Sequence, residues 1–96
     1  MPDVKYITYK MGRYTCHMDD GRNITCKGSI NDAVSIFGQY NFVRVKNSCL
    51  VNLRRVVCIM NYTVTVGEED LLIAKNRLDN FRYRYAVFNA ETAMGI

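Results

Sequence analysis

The chain has 96 residues, 49% of them apolar, which supplies one buried core and leaves no room for a second folded domain. Thirteen Lys plus Arg against nine Asp plus Glu give a net charge of +4, a balance that favours a polyanionic partner without specifying one. No run approaches the roughly 18 consecutive apolar residues of a membrane span, and Met1-Pro2-Asp3 lacks the layout of a signal peptide, so the expected location is the cytoplasm, with no membrane partner.

In chain order, residues 6–9 and 13–18 are rich in β-branched and aromatic residues and predict two strands. Asp19-Asp20-Gly21-Arg22 supplies turn chemistry before a third strand over 23–27. A two-residue Asp20-Gly21 loop would oppose Cys16 to Thr25 and mix the faces of this hairpin. A loop of residues 20–22 instead sets Cys16 against Cys26 and Met18 against Ile24, leaving Arg13, Thr15, His17, Asn23, Thr25 and Lys27 on the other side. Ser29 with Asp32 makes a capping-box variant, and Ile30, Ala33, Val34 and Phe37 follow helical spacing, predicting a short helix over 29–37 that Gly38 stops.

Further strands are predicted over 42–45, 55–60, 62–66 and 71–74, punctuated by Asn61 and by the turn 67–70. The acids Asp19, Asp20, Glu68, Glu69 and Asp70 are read as solvated turn residues. Asn76 with Asp79 marks the start of a C-terminal helix over 76–87, with Leu78, Phe81 and Tyr85 as its apolar stripe and fraying beyond Phe88. Residues 1–88 are therefore taken as the single domain and 89–96 as a tail.

The chemistry that the residues exclude is broad. Cys16, Cys26, Cys49 and Cys58 show no C-x-x-C spacing and His17 is the only histidine, which argues against a zinc module; the cysteines read as small core hydrophobes kept reduced. Ser48 and Cys49 have no second histidine or glycine elbow, and His17 has no evident orienting carboxylate. No glycine-rich phosphate loop and no carboxylate pair in apolar surroundings is present, so no enzyme, metal or cofactor is expected.

Polar reach concentrates instead in loops. At Lys46-Asn47-Ser48, an asparagine amide suits adenine, a lysine reaches guanine or phosphate, and a serine hydroxyl holds phosphate; a surface turn stabilised by the Asn side chain explains the same residues. At Lys75-Asn76-Arg77, Asn76 is a helix N-cap or a base contact, while Lys75 and Arg77 have no capping duty. Arg13, beside Gly12, is in isolation a surface arginine.

The string Phe42-Val43-Arg44-Val45-Lys46-Asn47-Ser48-Cys49-Leu50-Val51-Asn52-Leu53 resembles the signature of the LytTR family, F-x-R-V-H/K-x-S-x-L-V-N-L, and the flanking elements follow that family's order over about residues 4–85. The resemblance implies a mainly β, elongated fold of three small antiparallel sheets with little helix. It also implies a DNA-binding output domain of bacterial response regulators in two-component systems, whose loops enter successive major grooves of bent DNA. Two copies commonly occupy direct repeats in promoters. The implied partner is double-stranded DNA, with a receiver domain or a second copy on the adjacent repeat beside it.

By position, the resemblance implies base contacts by Arg13, Lys46 and Asn47 and at or beside Asn76; phosphate contacts are expected from the cations and hydroxyl around them, Lys27, Ser48, Arg54, Lys75 and Arg77. Ala74-Lys75-Asn76-Arg77 departs from the family's Ser-Arg-Arg-like run by lacking the serine. Leu50, Val51, Asn52 and Leu53 match structural positions, Asn52 bonding backbone. That missing serine also motivates an alternative, a regulatory protein-interaction module of the same fold without DNA binding. The chain is too short to include a receiver domain, so it reads as an excised output domain or a small stand-alone regulator.

Overall fold

The computed structural model describes residues 3–95, so the reading of Met1-Pro2 and the last residue of the expected tail, Ile96, lie outside the described residues. β1 (Val4–Lys10), β2 (Arg13–Met18) and β3 (Asn23–Lys27) form an antiparallel meander. β1 also pairs with β5 (Cys49–Asn52), and β5 with β4 (Phe42–Lys46), giving a five-stranded sheet in the order β3-β2-β1-β5-β4. β6 (Val56–Met60), β7 (Thr63–Val66) and β8 (Glu69–Leu72) make a second sheet of three strands. The mainly β fold is thus as expected, with two sheets in place of three: Tyr6, Ile7 and Thr8 pair with Val51, Leu50 and Cys49 and fuse the meander to the β4–β5 hairpin.

β5 is covered on both sides, which its nearly unbroken apolar sequence requires. Leu50 joins Val4, Ile7, Tyr14, Cys16 and Phe42 beneath α1 (Ile30–Phe37), which contributes Ala33 and Phe37. Cys49 and Val51 face the other way, with Tyr6, Val43 and Val45, against Val64 and Val66 of the second sheet and Phe81 of α2 (Leu78–Ala93). Burial pushes the Cys49 thiol up to about 11, so it stays protonated in the folded chain. Asn52 is only 1% exposed; its Nδ2 donates to the Val4 carbonyl at 2.8 Å and its Oδ1 accepts from the Arg54 N–H at 3.0 Å, as its structural reading anticipated.

Several local expectations shift. The β2–β3 loop is residues 19–21, closed by the Met18 N–H on the Arg22 carbonyl at 2.9 Å, so Cys16 opposes Ile24 and Tyr14 opposes Cys26. The reason is Gly21, at φ +90: a three-residue hairpin loop places its left-handed residue last, and only the frame 19–21 puts the glycine there. The face assignment survives, because the slip is an even number of residues; the Thr15 and Thr25 hydroxyls bond across the opposite face at 3.0 Å.

The capping box at α1 forms, with Ser29 Oγ accepting from the Asp32 N–H at 3.1 Å and Asp32 Oδ2 from the Ser29 N–H at 2.8 Å. Gly38 is the C-cap of α1, which ends at Phe37 as expected. It is right-handed and opens a 3-10 turn, Gly38–Tyr40, and the left-handed residue that ends the run is Asn41, at φ 66. Lys75–Arg77 is likewise a 3-10 turn, so α2 begins at Leu78 without a side-chain cap and Asn76 is not its N-cap. The helix continues through Ala93, taking in residues 89–93 of the expected tail, because Phe88 packs on the core beside Leu78 and Tyr85 and anchors the later turns.

Glu69 and Asp70 lie in β8 rather than in a turn. They are held there by Lys5 Nζ on Glu69 at 3.2 Å and by the Thr65 hydroxyl donating to Asp70 at 2.7 Å. Cys16 and Cys49 are buried and Cys26 is partly so, but Cys58 is exposed, since its strand turns that position to the outer face of the second sheet. No helix among the described residues is long and apolar enough to cross a membrane.

Candidate nucleic-acid interface

Three loops meet at one end of the strands. The β1–β2 turn, Lys10-Met11-Gly12-Arg13, holds Met11 at φ 50 and Gly12 at φ 78, a tight two-residue connection. Antiparallel pairing then places the β4–β5 turn beside it, since Thr8 opposes Cys49 and the Tyr9 N–H donates to the Ser48 carbonyl at 2.9 Å. Lys27 is brought alongside as the partner of Arg13, and the Gly28 N–H donates to the Gly12 carbonyl at 2.9 Å.

The third loop arrives from the second sheet. The Ala74 N–H donates to the Val45 carbonyl at 2.7 Å, and one turn later Arg77 Nη2 donates to Asn47 Oδ1 at 2.9 Å across 30 residues of sequence. Arg77 Nε is buried and bonds to no group among the described residues. Arg13, Lys27, Lys46, Asn47, Lys75 and Asn76 are exposed, while Ser48 and Arg77 are half-buried. Of the expected site residues the structure therefore unites eight at this end, and adds two that sequence reasoning did not single out, Lys10 and Met11. Their signal was positional: they occupy the turn that presents Arg13.

Arg54 does not join them. It follows Asn52 at the far end of β5, where the Leu53 N–H bonds the Asn41 carbonyl at 3.0 Å, and it borders a depression shared with Phe88 and Glu91. The four extended residues of β5 separate it from Ser48, about 13 Å along the strand direction. The strand that lies between them, and not a lack of charge, removes it from the cluster.

Acids collect at the other end. The Asp19 N–H bonds the Asp3 carbonyl at 2.7 Å, and the Arg55 guanidinium clasps Asp19, Nε to Oδ1 at 2.9 Å and Nη2 to Oδ2 at 2.7 Å. Lys5, Asp19, Arg55, Glu68 and Glu69 line one cleft there. The Tyr6 hydroxyl, helped by Lys5, holds the Glu69 carboxyl below the usual range, and burial beside Glu69 pushes the Tyr6 phenol up. His17 stacks on Tyr6 at 4.2 Å, bonds Thr8 Oγ1 through Nε2 at 2.8 Å, and is held below the ordinary imidazole range by burial, so it serves packing. Asp32, whose carboxylate lies near Gly28 on the basic side, is engaged in the α1 capping box.

Comparison with known proteins bears on the family and the fold. The family model for the LytTr DNA-binding domain matches residues 1–85. A solved structure described as the LytTr DNA-binding domain of a methyl-accepting/DNA response regulator from Bacillus cereus is similar to this chain with a TM-score of 0.73, at 18% identity, covering 85% of this chain and 80% of that one. At that identity the likeness speaks for the fold. No curated protein matches.

Proposed function

The chain belongs to the LytTR family of DNA-binding domains, a non-catalytic family of transcription regulation, and we propose that its basic end reads duplex DNA by sequence, its loops entering successive major grooves. The observation that carries the reading is the bond from Arg77 to Asn47, which joins two of the three loops. An amide oxygen has two lone pairs. Arg77 occupies one and fixes the amide plane, leaving the other, with both Nδ2 hydrogens, for the N6 and N7 edge of an adenine.

In this reading Arg77 positions Asn47 as well as approaching phosphate through its remaining Nη hydrogens. Arg13 and Lys46 face guanine, and Asn76, free of capping duty, faces a base from the 3-10 turn. Lys10, Lys27, Lys75 and the Ser48 hydroxyl meet phosphates, which supply most of the affinity. Arg54, at the far end of β5, takes no part. As the output domain of a two-component regulator, the module acts in the cytoplasm at direct-repeat promoter sites, beside a second copy or a receiver domain.

Selection of bound fragments from random duplexes tests this directly, with direct repeats as the expected result. On the selected site Asn47→Ala should cost about 1–3 kcal/mol and little on random DNA. The logarithm of affinity should fall against that of salt with a slope of about −3 to −5, for roughly 3–5 phosphates contacted. Absence of duplex binding at low salt, with tight binding to a partner regulator instead, would favour the interaction-module alternative and overturn the reading.

A further inference from the structure

Among the large apolar side chains on the surface, Met11 is the most exposed, at 88%, and it sits at the tip of the basic end between Lys10 and Arg13, with Lys27 across the sheet from Arg13. Its backbone is left-handed, at φ 50, and so is that of Gly12, at φ 78. A turn with two such residues ordinarily takes Asn-Gly; methionine there carries a steric strain that asparagine relieves. The strain persists because the turn is pinned from several sides. The Gly12 N–H donates to the Tyr9 phenol oxygen at 3.0 Å, the Gly12 carbonyl accepts from the Gly28 N–H at 2.9 Å, and Lys10 and Arg13 close the ladder. A strained residue over-determined by its surroundings is a feature of functional sites.

We propose that Met11 reads a thymine, packing its thioether chain against the C5-methyl group on the floor of the major groove. The inference rests on the DNA-binding reading above and adds a residue that discriminates by apolar contact. The other strongly exposed apolar residues, such as Met60 and Leu72, face out from the second sheet opposite one another's strands, with Thr63 between them. Met11 instead stands alone among cations, a setting that suits a polyanion and disfavours an apolar protein partner. Cations flanking the tip hold it against the phosphates, and the unbranched, polarisable side chain between them reaches the one apolar feature that base edges offer in that groove.

The test uses the site recovered by selection, with each thymine replaced singly by deoxyuridine, which removes the methyl group and leaves base pairing intact. The wild-type domain should lose about fourfold in affinity at one position, the worth of one buried methyl. Met11→Ala and Met11→Asn should show a similar loss on the thymine site and no preference between thymine and uracil there. Met11→Asn should also melt no lower than wild type, since asparagine tolerates the left-handed turn, which separates lost contact from lost fold. A wild-type domain indifferent to uracil at every thymine, a selected site that requires no thymine, or variants as sensitive as wild type would each overturn the inference. If Asn47 still matters on that site, this inference fails alone; if the wild type binds no duplex, it fails together with the reading beneath it.

Discussion

The two ends of the strands spend their charges differently. At the acidic end Arg55 is clasped by Asp19, Lys5 by Glu69 and Arg22 by Asp20. At the basic end Lys10, Arg13, Lys27, Lys46 and Lys75 form no ion pair among the described residues. Paired charges serve the fold; unpaired ones remain available to an external anion.

If the ends divide labour in this way, substitutions at one should alter stability and at the other binding. The largest effect is expected at Asn52, whose loss leaves the Val4 carbonyl and the Arg54 N–H without their partner: Asn52→Ala should lower unfolding free energy by about 2–4 kcal/mol in urea titration, with affinity per folded molecule unchanged. A matching fall in affinity would break the division. Next comes a paired comparison. Lys75→Gln should reduce the salt slope of DNA binding by about 1, whereas Arg54→Gln should leave it unaltered; an equal reduction for both would place Arg54 at the interface after all. The smallest effect belongs to Asp19→Ala, which opens an ion pair that is about one-third exposed on both sides and should cost no more than about 1 kcal/mol, shrinking as salt is added, with DNA affinity unmoved.

Much of the layout was legible before any coordinates, for identifiable reasons. Period-two alternation marked β2 and β3, and the Ser29–Asp32 box marked α1, because both signals are local; β5, buried along its whole length and so without alternation, was not among the predicted strands. The β2–β3 register was not legible, since residues 19–21 and 20–22 place the same side chains on the same face and only Gly21's left-handed backbone chooses between them. Gly38 marked the end of α1 but not the 3-10 turn beyond it, because that turn closes on a left-handed asparagine, Asn41. The stop expected near Phe88 failed because anchoring by that ring is a tertiary effect.

The site divides along the same line. Asn47 and the cations around it stand out as polar residues in loops, but the bond from Arg77 spans 30 residues and exists only once Ala74 is tied to Val45. Arg54 was grouped with them on charge alone. Counting through β5 would have placed it at the opposite end, because four paired residues carry the chain from one end of the sheet to the other.

Burial of β5 on both faces has a consequence for how the reading loop behaves. Backbone amides of Leu50 and Val51 are shielded by two layers and should exchange with deuterium only through global opening, the slowest class in the molecule. Asn47 lies only two residues before that strand begins, tethered at its other side through Arg77. If Asn47 reads bases as proposed, this mounting surrenders little conformational entropy on docking, and association should be governed by encounter and desolvation rather than by ordering of the loop.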